Sequence, residues 1–249
     1  MKKTKKPRQS RKSRQTPQPP PTPQPRPREV AKIWSQVDEY FCDKILPDDA
    51  ALDAALKDSD KAGLPAIAVT PTQGKFLQML TEMIRARSVL EIGTLGGYST
   101  IWFARALPPD GHIITLEVDP VHAEVARKNF ARAGLQRMIE LRLGNALDTL
   151  PLLIAGGSGP FDLIFIDADK VNIPKYFDCA LKLSKPGTVI IVDNVVREGE
   201  VVNAKSENPS VQGVRRFVHQ LGRAKGLTAT ALQTVGSKGY DGFAIVRVR

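Results

Sequence analysis

Five β-rich runs in this chain each end in residues able to bind or to react. Ser88–Ile92 leads into Gly93-Thr94-Leu95-Gly96-Gly97, His112–Glu117 ends on Glu117, and Ile139–Leu143 leads into Gly144-Asn145-Ala146. Phe161–Ile166 is followed by Asp167-Ala168-Asp169-Lys170, and Thr188–Val192 by Asp193-Asn194. Open α/β sheets bind ligands beyond the carboxyl ends of their strands, so these ends together define a candidate site. The glycine turn Gly93–Gly97 lets backbone approach a ligand closely at a helix N-terminus, though its GxxGG spacing is not the dinucleotide GxGxxG. Glu117, 24 residues beyond Gly93, stands where nucleotide-binding sheets place the acid that accepts ribose hydroxyls. Asn145 serves equally well as a turn residue.

Asp167, Asp193 and Asn194 carry the more specific chemistry. Adjacent parallel strands lie about 4.8 Å apart, so the two aspartates converge if the fourth and fifth strands are neighbours. Carboxylates that close repel unless a proton or a cation lies between them. With the Asn194 amide they form an all-oxygen set, suited to Mg²⁺, Mn²⁺ or Ca²⁺ rather than zinc. Two metal-free helix-capping aspartates are the alternative. Lys170 reads as a salt-bridge partner or as a base.

The elements positioning these residues follow from periodicity. Short β-rich runs alternate with helix-length segments such as Ser99–Leu107 and Pro120–Ala133, which predicts α/β architecture with a parallel sheet and helices on both faces. Ahead of the sheet, Val30, Ile33, Trp34, Val37, Tyr40 and Phe41 recur at helical spacing, and Gln73–Arg85 predicts a second extra N-terminal helix. Thr228–Gln233 and Gly242–Val248, joined through Gly236–Asp241, predict a terminal hairpin. Ala155–Pro160 predicts a surface loop, and Trp102 and Phe177 fall at core positions of helices.

The chain has 249 residues, with 36 Lys and Arg against 26 Asp and Glu. Residues 1–28 hold ten of the cations and no acid, so the remaining 221 are balanced. That places the basic charge in a disordered Lys/Arg-rich and Pro-rich tail, either a solvated extension or a tether to nucleic acid or an anionic surface. Residues 29–249 are expected to form one domain. Two cysteines, Cys42 and Cys179, without a CxxC pair exclude a disulfide scaffold or zinc ribbon. There is no transmembrane-length apolar run and no secretory h-region, so the expected location is cytoplasmic.

VLEIGTLGGYST (Val89–Thr100), Glu117, DADK (Asp167–Lys170) and Asp193-Asn194, in this order, resemble the cation-dependent class I O-methyltransferases, which include the caffeoyl-CoA and catechol O-methyltransferases. The resemblance spans about Trp34 to Arg249. It implies a Rossmann-like seven-stranded, mostly parallel sheet with an antiparallel last strand, binding S-adenosylmethionine, in a homodimer. It places Val69, Glu91, Gly93, Thr94, Ser99, Glu117, Ala146, Asp167 and Asp169 at the cofactor. Within that set, Glu91 and Gly93 line its methionine end, Ser99 its carboxylate, Glu117 the ribose, Ala146 the adenine and Asp169 the amino group. It gives the cation to Asp167, Asp193 and Asn194, and catalysis to Lys170 as base with Asp167. The implied reaction is divalent-cation-dependent methylation of a catechol-like small molecule, with Mg²⁺ the expected metal. The cation stabilises and orients a phenolate that is otherwise mostly protonated at neutral pH.

The sequence departs from the plant members at Ile67 and Gln73, commonly Met and Glu there, and at Tyr240-Asp241-Gly242. The rival reading is an RNA methyltransferase that uses the basic tail to bind RNA. Against it, the segment after the fourth strand lacks the Pro-Pro-aromatic loop of base-modifying enzymes, and both cysteines sit in helical segments. A dehydrogenase lacks the glycine spacing, and nothing favours a non-enzymatic binding protein.

Overall fold

The computed structural model describes residues 27–249. The expected tail therefore lies outside the described residues, except for Pro27 and Arg28, which open the first helix. Three helices precede the sheet: α1 (Pro27–Ile45), α2 (Ala50–Lys61) and α3 (Pro71–Met83). Asp49 caps α2 through the N–H groups of Ala51 and Leu52, and Thr70 caps α3 through that of Gln73, each satisfying an orphan donor of the first turn. The periodicity reading did not single out α2. Its buried face is a single leucine, Leu52, with the small Ala55, which leaves little hydrophobic pattern to read.

Then β1 (Ser88–Ile92), α4 (Tyr98–Ala106), β2 (His112–Glu117), α5 (Pro120–Arg132), β3 (Ile139–Leu143), α6 (Ala146–Ala155) and β4 (Phe161–Ile166) alternate as expected. A 3-10 turn at Lys170–Asn172 leads into α7 (Ile173–Lys182), followed by β5 (Ser184–Asp193), α8 (Pro209–Arg223), β6 (Leu227–Gly236) and β7 (Gly239–Val248). The closing hairpin is tighter than its glycine-rich sequence suggests. Pairing runs to Gly236 opposite Gly239, so the turn is Ser237-Lys238 alone.

The seven strands lie in the order β3-β2-β1-β4-β5-β7-β6. Pairs among β1 to β5 are parallel, while β7 is antiparallel to both β5 and β6. The order makes β4 and β5 neighbours and sets β1 beside β4.

Strand residues alternate between two cores. Leu90, Ile92, Ile164, Ile166, Ile190 and Val192 pack with α6, α7 and α8 residues such as Leu150, Phe177 and Phe217. Val89, Leu163, Phe165, Val189 and Ile191 pack with α2 to α5 residues such as Leu77, Phe103 and Phe130. Helices thus cover both faces, and the central strands bury both sets of side chains, as parallel sheets do. Trp102 and Phe177 are core residues, at 5% and 0% exposure. Cys42 lies in α1 and Cys179 in α7. Among the described residues, no helix is long and apolar enough to cross a membrane.

Candidate active site

The carboxyl end of β1 carries Glu91, which is fully buried on the α4 face. It accepts hydrogen bonds from Ser99 Oγ at 2.6 Å, from Thr115 Oγ1 at 2.6 Å and from Thr100 Oγ1. Burial nonetheless pushes its carboxyl up to about 7, against the three hydroxyls and with the help of the Asp167 charge. Two residues on, Gly93 has φ +102°, and a Cβ there would come within 2.2 Å of the Asp167 carbonyl oxygen. Only glycine lets the ends of β1 and β4 close up at this point.

Glu117 ends β2 and organises the glycine turn. One carboxylate oxygen accepts the N–H groups of Thr94 (3.2 Å) and Leu95 (2.7 Å), and the other those of Val118 (2.8 Å) and Asp119 (2.9 Å). Thr94 Oγ1 also shares a 2.5 Å hydrogen bond with Thr115 Oγ1. Beyond β3, Asn145 is the N-cap of α6, its side chain accepting from the Leu147 N–H at 2.9 Å, which realises the turn reading of this residue. Ala146 starts that helix, partly buried.

β4 and β5 are neighbours, so Asp167 and Asp193 stand at adjacent strand ends. Asp193 is 4% exposed, and burial, then the neighbouring Asp167 charge, hold its carboxyl well above the usual carboxylate range. Gln73 Nε2 donates to Asp193 Oδ2 at 2.7 Å, and the N–H of Asn194 donates to Oδ1 at 2.8 Å. Lys170 is 9% exposed, and its Nζ lies 2.7 Å from Asp167 Oδ1. Asp169 caps the 3-10 turn through the Asn172 N–H at 3.1 Å and also accepts from Asn172 Nδ2 and the Tyr176 hydroxyl.

A cavity of about 430 Å³ opens beside Asp193 and Asn194. Val69, Gln73 and Phe76 form one wall, and Leu232, Val235, Tyr240 and Phe243 of the closing hairpin form another. A clasp closes its rim: Asp38 of α1 accepts the Ser237 N–H at 2.7 Å, and Lys238 Nζ donates to the carbonyls of Ala66 (3.2 Å) and Ala68. Sequence reasoning did not single out Asp38, Thr100, Thr115, Tyr176 or Lys238 as functional. Thr115 and Thr100 were the findable ones, as hydroxyls in otherwise apolar runs next to a buried acid.

Among the described residues, no group of three or more His, Cys, Asp or Glu is placed to hold a metal ion. The candidate set has two carboxylates, with the Asn194 amide as its third donor. A divalent cation fits that chemistry, because two neighbouring carboxylates, Asp193 buried and Asp167 partly so, with one lysine beside them gain from a further positive charge.

Comparison with known proteins supplies the family of this fold. Residues 46–247 match the O-methyltransferase family model, and the chain belongs to that family. It is 53% identical over 218 residues to a catechol O-methyltransferase of Niastella koreensis, an alignment covering 88% of this chain and 99% of the relative. Among solved structures, the O-methyltransferase of Bacillus cereus in complex with SAH superposes with a TM-score of 0.87 at 54% identity, covering 88% of this chain and all (100%) of that one. TomG of Streptomyces achromogenes, an O-methyltransferase involved in tomaymycin synthesis and solved with SAM, gives 0.85 at 48% identity, covering 88% and 98%. The protein is therefore an O-methyltransferase with the Rossmann-like fold expected of it.

Proposed function

We propose that this O-methyltransferase transfers the methyl group of S-adenosylmethionine to one hydroxyl of a catechol-like vicinal diol, and that it does so with a divalent cation at Asp167, Asp193 and Asn194. The observation that carries the reading is the approach of two carboxylates on neighbouring strands, one of them buried, with Lys170 against the first and an apolar-walled cavity against the second.

Glu91, Gly93, Thr94, Ser99, Glu117, Ala146 and Asp169 line the edge from β1 to β4, and with Val69 would hold the cofactor. Relatives solved with SAH and with SAM support S-adenosylmethionine as that cofactor. When bound, the sulfonium supplies an electrophilic methyl group, and the cation supplies a Lewis acid for the diol oxygens. The chain's own work is positioning and proton handling. Phe76 and Phe243, with ring centroids 5.3 Å apart, give an aromatic ring a wall to pack on. Lys170 Nζ would receive the hydroxyl proton, and Asp167, 2.7 Å away, holds that nitrogen in place. The clasp between Asp38, Ser237, Lys238 and the 66–68 segment fixes the closing hairpin at the cavity rim. Holding the nucleophile in line at near-attack distance supplies the rest.

The test is methyl transfer to a panel of catechols, including caffeoyl derivatives, with Mg²⁺ or with EDTA. Transfer should require the cation and collapse in Asp167→Ala and Lys170→Ala. Cofactor binding without turnover of any diol would overturn the acceptor class. The RNA alternative rested on a tail outside the described residues, and no observation favours it.

A further inference from the structure

The acceptor cavity is charged in one sense. Asp38, Asp193, Glu198 and Asp241 line it, against Lys238 as the single cation among its described lining residues. Most of these charges are already engaged. Lys238 Nζ is spent on the carbonyls of Ala66 and Ala68, and Asp38 on the Ser237 N–H. Asp241 accepts the N–H groups of Val196 and Arg197, each at 2.9 Å, and that of Gly242 at 3.0 Å, with the Arg197 guanidinium 3.6 Å away. Asp193 belongs to the proposed cation set.

Glu198 differs from the rest. It is exposed on the cavity rim and makes no hydrogen bond or ion pair among the described residues. It also sits on left-handed backbone, φ +56°, directly after Arg197 at +55°. A non-glycine residue rarely adopts that conformation, and here Asp241 pins the preceding N–H groups and holds the kink. The kink brings an unneutralised carboxylate to the mouth of a cavity whose one cation among the described lining residues, Lys238, is turned onto backbone.

We propose that Glu198 selects the acceptor by charge, favouring diols whose side arm is cationic or neutral and rejecting those whose arm is a carboxylate. This rests on the diol-methylation reading above. An arm charge about 6 Å from a partly solvated carboxylate changes relative binding by roughly tenfold in each sense.

The test uses the full chain with S-adenosylmethionine and Mg²⁺, and three catechols of equal arm length ending in an amine, a methyl or a carboxylate. The neutral arm is the internal reference, and the readout is the kcat/KM ratio of amine to carboxylate. The ratio should favour the amine by about a hundredfold at low salt and shrink as salt is added. Glu198→Asn, which suits the left-handed backbone, should reduce it about a hundredfold, to near one, and Glu198→Lys should invert it. A wild-type ratio near one, or a ratio untouched by both substitutions, overturns the inference while leaving diol methylation standing. Absence of turnover on all three diols overturns the acceptor class and this inference with it.

Discussion

Gln73 Nε2 and Asp193 Oδ2 meet at 2.7 Å, joining the first turn of α3 to the end of β5 across 120 positions of the chain. The contact ties an N-terminal helix to the proposed cation set, and it neutralises no charge. Gln73→Glu would set a third carboxylate against Asp193. In EDTA this variant should lose roughly 2 kcal/mol, a fall of about 4–8 °C in Tm for a chain of this size. Mg²⁺ should raise its Tm by more than it raises that of the wild type. Equal Mg²⁺ shifts in the two proteins would count against cation binding beside Asp193.

Glu91 predicts a pH signature in stability. Its carboxyl moves from 4.5 to about 7 on folding, chiefly through burial. Between those values the unfolded chain gives up this proton more readily than the folded one, so stability is intact below about pH 4.5 and falls as pH rises through 7. The whole shift corresponds to about 3 kcal/mol. Denaturant midpoints from pH 5 to 8 should show the wild type declining and Glu91→Gln declining less by most of that amount. Parallel profiles would show that Glu91 does not titrate in this window.

Lys170 should be sensitive to a residue that never touches substrate. Gly213 in α8 faces the Lys170 carbonyl, and a Cβ there would lie 2.0 Å from that oxygen. Gly213→Ala must push the 3-10 turn and α8 apart, at a cost of about 1–3 kcal/mol. We expect kcat to fall tenfold or more, with affinity for S-adenosylmethionine changed little. Gly134→Ala is the comparison. Its φ is +73° and nothing lies within 4 Å of the added methyl, so it should carry only backbone strain of about 1 kcal/mol and leave kcat alone. Equal kcat in the two variants would remove the link between α8 and the lysine.

Tyr176 donates its hydroxyl to Asp169, and burial together with that carboxylate raises its phenol above the ordinary value. Tyr176→Phe leaves Asp169 held by Asn172 alone. If Asp169 holds the cofactor, the Kd for S-adenosylmethionine should rise about threefold to tenfold by calorimetry, with Tm lowered by no more than the loss of one hydrogen bond, about 1 kcal/mol. An unchanged Kd would place Asp169 outside the cofactor site.

The boundaries of β1 to β4 were readable residue by residue, because β-rich runs flanked by glycine and polar turns leave a local pattern. The residues at the strand ends were readable for the same reason. Asn145 was readable only as a choice between ligand and turn, and its side chain on the Leu147 N–H decides for the cap. α2 and the two-residue turn at Ser237-Lys238 escaped, the first for want of an apolar stripe and the second because flanking glycines blur where pairing stops.

The chain by itself determined an alternating α/β body, an electrically balanced domain behind a basic tail, and acids, amides and a lysine at five successive strand ends. The family followed from those motifs taken in order. Tertiary structure alone decided that β1, β4 and β5 lie side by side, which brings Gly93 against Asp167 and Asp167 toward Asp193. It alone placed Gln73 on Asp193, Asp38 on the Ser237 N–H and an unpaired Glu198 at the cavity mouth. Propensity and periodicity act over a few residues and leave marks along the chain, whereas contacts across scores of positions arise from sheet order and helix packing and leave no local pattern.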